Sequence, residues 1–229
     1  MEPVSAAALL EASPTAWLST GCPALDACLQ GGIPNKGITE IAGESAAGKT
    51  QLCLQLLLQC QLATEDGGLG GGALYMVSEG AASTRRLAGL ADTFKTRHSL
   101  PAEVDPMAKV FVEEVSDVDA VNRVLAKVPV LLRRAGVKLL VIDSVTALFR
   151  GDAKSSQDYK ARARVMCALA ARLRGLAQEH SVCVVTVNQA TGVMSGHAGL
   201  PRRDVEPILT GAKVRPALGL VWSNCVNSR

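Results

Sequence analysis

The chain has 229 residues, 48% of them hydrophobic, a length that suits one well-buried domain and is short for two. Its 24 Lys and Arg stand against 21 Asp and Glu, a net charge of +3; that excess is too small to announce a polyanionic partner by itself, so any nucleic-acid contact has to come from local clusters. Only 3% of residues are aromatic, which leaves little for base stacking, and no apolar run reaches the ~18 residues of a membrane span.

Residues 1–16 are Ala-, Ser- and Pro-containing, and the first 17 positions read as a linker or the remnant of an N-terminal region, with one domain expected over 18–229. The Ala-rich start, Ser5 to Leu10, lacks the basic segment of a signal peptide, so the expected protein is soluble and intracellular. Ile38 to Ile41 predicts a short apolar strand running into a Gly-containing loop, and Lys49 to Leu62 carries apolar residues at helical spacing. The Gly-rich turn 67–72 precedes a second strand, Ala73 to Val77, and a basic segment with helical character follows from Ser83 to Asp92. A strand is expected at Val110 to Val115, an amphipathic helix at Asp117 to Arg134 and a buried strand at Lys138 to Ile142, ending in Asp143. A long helix, Tyr159 to Glu179, leads to the strand Val182 to Val187. Such alternation predicts an α/β fold, a mostly parallel twisted sheet with helices on both faces. Six Gly and Pro residues interrupt every period between 190 and 214, and a loop of that length is either functional or disordered. The seven cysteines are scattered among apolar runs, with no Cys-x-x-Cys pair and no histidines at zinc spacing, which favours reduced thiols over a metal site or disulfide framework.

Gly43-Glu44-Ser45-Ala46-Ala47-Gly48-Lys49-Thr50 matches the P-loop pattern, with a strand before it and a helix after. Glycines let backbone amides turn inward around phosphate oxygens, and the helix N-terminus adds its positive end at the same place. Lys49 is expected to reach the β- and γ-phosphates of ATP, and the Thr50 hydroxyl to ligate Mg²⁺. Asp143 ends a strand at the carboxyl edge of the sheet, where it either holds the metal through water opposite Thr50 or caps the next helix. Glu79 follows the second strand at the same edge; it is either the base that activates the attacking water or a solvated loop residue. Gln189, past the strand Val182 to Val187, is either a γ-phosphate sensor or an ordinary strand terminus. Basic residues gather around the loop after Asp143 (Arg150, Lys154, Lys160, Arg162 and Arg164) and in or after the later one (Arg202, Arg203, Lys213 and Arg215). They either solvate a surface or supply sequence-independent contacts to DNA phosphates.

From Leu18 onward the chain resembles the eukaryotic RecA-type recombinases and their paralogues. The resemblance is carried by Leu18 to Asp26, by Gly31-Gly32-Ile33-Pro34 and Gly37-Ile38-Thr39-Glu40, and by the P-loop with Gln51-Leu52. Ser78-Glu79-Gly80 with Arg86-Leu87, Ile142-Asp143-Ser144 with Phe149-Arg150, and Asn188-Gln189 extend it over some nine-tenths of the chain. The resemblance implies a RecA-like P-loop ATPase core in a homologous-recombination repair complex, with ATP and Mg²⁺ as cofactors. It supports Lys49, Thr50, Asp143, Glu79 and Gln189 in the roles above, places Arg86 beside the adenine, and makes 151–163 and 190–213 two DNA-facing loops. It further implies a DNA-dependent ATPase that pairs as a heterodimer with another RecA-like paralogue and works with the main recombinase on single-stranded or junction DNA, in the nucleus and also in cytoplasm or mitochondria. Several features depart from the family. Ser156 stands where strand-exchanging members carry an arginine, the family's N-terminal helical domain and the strands beyond Arg229 are expected to be missing, and the subunit-docking motif survives at most as Val4 and Ala7. These gaps favour an accessory paralogue or a shortened form. A nucleotide-gated scaffold with negligible turnover is the rival expectation; a small-substrate P-loop kinase is disfavoured by the long helix at 159–179 followed by Asn188-Gln189.

Overall fold

The computed structural model describes residues 15–150, 155–192 and 214–229, together with Ser5 and Ala8. The first elements are small: β1 (Trp17–Leu18) pairs antiparallel with β2 (Ile33–Pro34), and helix α1 (Pro23–Cys28) lies between them. Proline at its first turn suits α1, since the missing amide would have no helical partner there. The link is fastened by Asp26, whose carboxylate accepts from Ser19 Oγ at 2.5 Å, Thr20 N at 2.8 Å and Thr20 Oγ1 at 2.8 Å. Partial burial works to raise the Asp26 carboxyl, but the bonds from Ser19 and Thr20 outweigh it and hold the group below its ordinary value.

The central sheet is then laid down by β3 (Ile38–Gly43), β4 (Gly72–Val77), β5 (Val110–Glu114), β6 (Val137–Asp143) and β7 (Cys183–Gly192), all parallel, in the order β3-β7-β6-β4-β5. Helices α2 (Lys49–Gln59) and α3 (Thr84–Arg97) pack on one face, while α4 (Val118–Ala135), the short α5 (Val145–Leu148) and the long α6 (Ser156–His180) pack on the other. Crossovers through α2 and α3 run one way along the sheet and those through α4 and α6 run back, so a single crossover hand puts helices on both faces. The expected α/β architecture is the one observed.

Period-two alternation separates the two cores. Leu74 and Met76 of β4, with Leu140 and Ile142 of β6, face α4 and α6; Ala73, Tyr75 and Val77, with Leu139 and Val141, face α2 and α3. Each of these residues is at most 5% exposed, and full burial of one large aliphatic side chain contributes on the order of 1.5–3 kcal/mol. One irregularity interrupts the pattern: Gly72 pairs with Val137 but Ala73 pairs with Leu139, so Lys138 is skipped and Val137 joins the α4 and α6 face.

Local chemistry sets the helix ends. Asp117 caps α4 by accepting from Ala120 N at 2.7 Å, and Gly136 in the left-handed region, φ +60°, ends it. A reciprocal capping box opens α6: Asp158 N donates to Ser155 Oγ at 3.1 Å and Ser155 N donates to Asp158 Oδ2 at 2.9 Å. After β7, strand β8 (Val214–Pro216) pairs back on it antiparallel, and α7 (Gly219–Ser223) buries Trp222 completely. The final residues then flank β3, with Asn227 N donating to Ile38 O and Glu40 N to Ser228 O, each at 2.9 Å.

Several boundaries differ from expectation. Helix α2 stops at Gln59 rather than Leu62, because the chain turns there and Leu69 N and Gly70 N bond back to Cys60 O and Leu62 O. Helix α3 continues five residues beyond Asp92 to Arg97. Strand β7 runs to Gly192, so Asn188 and Gln189 lie within it rather than past its end. The stretch 193–213 lies outside the described residues.

Candidate active site

The carboxyl ends of β3, β4, β6 and β7 meet at one edge of the sheet, and each delivers one of the residues singled out above. From Gly43 the chain leaves β3 into the exposed loop Glu44 to Gly48 and enters α2 at Lys49. Ala46 and Gly48 both adopt left-handed backbone, φ +62° and +88°. A side chain at Gly48 would meet nothing within 4 Å, so the glycine is there for its backbone angle and not for space. No side chain caps the N-terminus of α2, which leaves its first amides to an outside acceptor. Lys49 Nζ donates to Glu44 O at 2.5 Å and thus curls over the same loop.

Opposite the loop, Thr50 Oγ1 donates to Asp143 Oδ2 at 2.6 Å across 93 positions of sequence. The same carboxylate oxygen accepts from Tyr75 Oη at 3.1 Å. Tyr75 is 2% exposed, and its hydroxyl is held far above the ordinary phenol range, first by burial and then by the adjacent Asp143 charge. Sequence reasoning missed Tyr75. The signal available was one polar tip in an apolar strand, two residues before the position that pairs with Asp143, since Val77 and Asp143 are in register.

Asp143 and Thr50 offer two hard oxygen donors, and among the described residues there is no group of three or more His, Cys, Asp or Glu able to hold a metal. That donor set fits magnesium, which keeps waters and takes phosphate oxygens rather than demanding a full protein cage. Thr50 and Asp143 are the residues that would hold it.

A second cluster lies beside the first. Glu79, just after β4, accepts from Gln189 Nε2 at 2.9 Å and is ion-paired with Arg150. Arg150 also donates to Gln189 Oε1 at 3.3 Å, closing a triangle of three side chains from three elements. Arg150 was expected among the DNA-facing basic residues; here its guanidinium turns to Glu79 and Gln189. The triangle rests on polar struts. Ser78 Oγ donates to Ser144 O at 2.6 Å and accepts from Ser144 N at 2.8 Å, which ties the exits of β4 and β6 together. Thr146 Oγ1 accepts from Gln189 N at 2.8 Å and donates to Asn188 Oδ1 at 2.8 Å. Asn188 Nδ2 in turn donates to the buried Glu40 at 2.7 Å, and Arg229 forms an ion pair with Glu40 from the other side.

The remaining predicted residues are more scattered. Arg86, near the start of α3, donates through Nε to Gln51 Oε1 on α2 at 2.7 Å, close to the loop but apart from the triangle. Lys160 is exposed and Arg162 half-buried near the start of α6. Lys154, Arg202 and Arg203, like Val4 and Ala7, lie outside the described residues. No helix among the described residues is long and apolar enough to cross a membrane. All seven cysteines are free thiols.

Comparison with known proteins identifies the family. The family model described as Rad51 matches residues 13–214. The chain is 39% identical over 234 residues to the DNA repair protein XRCC3 homolog of Arabidopsis thaliana, covering 96% of this chain and 77% of that protein. It is 42% identical over 214 residues to DNA repair protein XRCC3 of Bos taurus, covering 90% of this chain and 60% of the relative. It is 30% identical over 244 residues to DNA repair protein rhp57 of Schizosaccharomyces pombe, covering 93% and 67%. The chain therefore spans about three-fifths of the length of the cattle relative.

Proposed function

Because the chain belongs to the Rad51 family, we propose that it is an ATP-binding and ATP-hydrolysing subunit of a homologous-recombination DNA-repair complex, acting on single-stranded or branched DNA. The observation that carries this reading is the Thr50–Asp143 bond at 2.6 Å beside an uncapped helix N-terminus. Amides from Glu44 to Thr50 would hold the phosphates, Lys49, now on Glu44 O, would turn to them, and Thr50 with Asp143 would hold magnesium, which would supply charge neutralisation. Glu79 orients and deprotonates the attacking water, and Gln189 senses the γ-phosphate. Arg86 stands beside the adenine, while Lys154, Lys160, Arg162, Arg202 and Arg203 contact DNA phosphates. The names of the relatives, each a DNA repair protein, support the repair role; we further propose the nucleus as its place, another paralogue as heterodimer partner and the main recombinase as co-worker.

Replacing Lys49 with Ala removes the only P-loop cation, so nucleotide affinity is expected to fall at least ~10-fold, read by titration of a fluorescent ATP analogue. Unchanged affinity would defeat the proposal. A second reading, a nucleotide-gated scaffold with negligible turnover, is favoured by one observation: Glu79 is already engaged by Arg150 and Gln189. Glu79→Gln separates the two, since the ATPase reading expects repair function to be lost while ATP still binds, and the scaffold reading expects function to persist.

A further inference from the structure

We infer that Arg150 is a positioning residue that restrains Glu79 until a nucleic-acid phosphate draws the guanidinium away. The inference rests on the ATPase reading above and adds a means by which DNA would regulate it.

The geometry supplies the parts. Glu79 has one carboxylate oxygen on Gln189 Nε2 at 2.9 Å and the other on Arg150. To take a proton from water, the carboxylate has to give up one of these donors or turn its remaining lone pairs outward, because lone pairs aimed at a cation are poor acceptors for a neutral water. The two halves of the ion pair differ in access. The Arg150 side chain is 58% exposed and that of Glu79 33%, so an anion arriving from solution meets the guanidinium before the carboxylate. The planar guanidinium binds a phosphate in two-point fashion as readily as it binds a carboxylate, so a polyanion competes directly for it. Arg150 also precedes α6 by a few positions in the chain, and the first turns of that helix carry the exposed Lys160 and the half-buried Arg162.

Once freed, Glu79 takes the proton of the water whose oxygen bonds to the γ-phosphorus as the bond to the bridging oxygen breaks; ADP and phosphate result. The restraint is electrostatic and local, and removing it does not touch the struts that build the site, since the Gln189 backbone amide is held by Thr146 Oγ1, which in turn donates to Asn188 Oδ1.

The test uses the full chain copurified with its partner, comparing the parent with Arg150→Gln and Arg150→Lys with and without a single-stranded oligonucleotide. Arg150→Gln is expected to raise DNA-free kcat about 1.5- to 5-fold, the range that the worth of one partly exposed ion pair spans, with KM for ATP unchanged. Its stimulation by DNA is expected to fall towards unity, Arg150→Lys to lie between, and Glu79→Gln combined with Arg150→Gln to be inactive. DNA-free turnover equal to or below the parent's, in an Arg150→Gln protein that binds nucleotide and melts like the parent, would overturn the inference. Bound nucleotide with no turnover in either protein, with or without DNA, would also overturn it while leaving nucleotide binding intact. A parent that binds no nucleotide at all would overturn both it and the reading on which it rests.

Discussion

Arg229→Ala removes the cation that accompanies a carboxylate with no exposed surface. Glu40 sits on β3 with its side chain 0% exposed; one oxygen accepts from Asn188 Nδ2 at 2.7 Å and the other is ion-paired with Arg229. Arg229 is itself anchored by donating to Ser223 Oγ at 2.7 Å. Breaking a buried ion pair from one side costs about 3–5 kcal/mol, because the remaining charge has neither water nor partner. Here Arg229 is 28% exposed, so water follows it part of the way in, and a loss of about 2–3 kcal/mol is expected. For a chain of this size each kcal/mol moves Tm by roughly 2–4 °C, so calorimetry is expected to find Tm about 5–10 °C lower. Glu40→Gln added to Arg229→Ala replaces the stranded charge with a neutral amide and is expected to recover at least ~1 kcal/mol. A drop below about 2 °C in the single variant, or no recovery in the double one, would refute the claim that the buried charge depends on Arg229.

Tyr75→Phe removes the second donor to Asp143; the fold is expected to survive with a loss of about 1 kcal/mol, and the magnesium concentration needed for half-maximal nucleotide binding to change several-fold, measured by titration at fixed nucleotide. Asp26 is held below its ordinary carboxyl value, so its contribution to stability is complete above the unfolded value near 3.8 and is lost as pH falls through the lower folded one. Denaturation midpoints in that acid range are expected to fall less steeply for Asp26→Asn; an identical pH profile would sink the assignment. Exposed Cys28 and Cys167 are expected to alkylate within minutes, whereas Cys53, Cys60 and Cys183 react only on unfolding. Burial pushes the Cys60 thiol up to about 12 and raises Cys53 and Cys183 as well, so mass spectrometry of the labelled native protein checks both access and protonation.

The sheet was legible because apolar runs of strand length alternate with helical periods, and Leu74, Met76, Leu140 and Ile142 occupy the core positions that alternation requires. The P-loop was legible because its residues are contiguous. What escaped was decided by contacts distant in sequence. The pair β1 and β2 with α1 is too short for any period to show and is held by Asp26 and the turn around it. The end of α2 depends on the Gly-rich turn 68–71 folding back on it, and β7 continues through Gln189 because β3 pairs with it as far as Gly43. Arg150 looked like one more basic residue after Asp143. Its partners Glu79 and Gln189 lie on other elements, and only the folded chain brings the three together. Glu40 took part in the resemblance but gave no sign of its partners, since a carboxylate in an apolar strand becomes intelligible only when Arg229 and Asn188 stand beside it.

Strand order also fixes how fast deuterium enters the backbone. Between Val184 and Thr186, β7 is bonded to β3 on one side and β6 on the other, so those amides exchange only through openings that approach the global free energy. Among the described residues β5 has a neighbour on one side alone, and its rim exchanges by fraying. Isotope uptake would thus advance from Val110–Glu114 towards the interior, and the strand that carries Gln189 would be among the last to lose its protons.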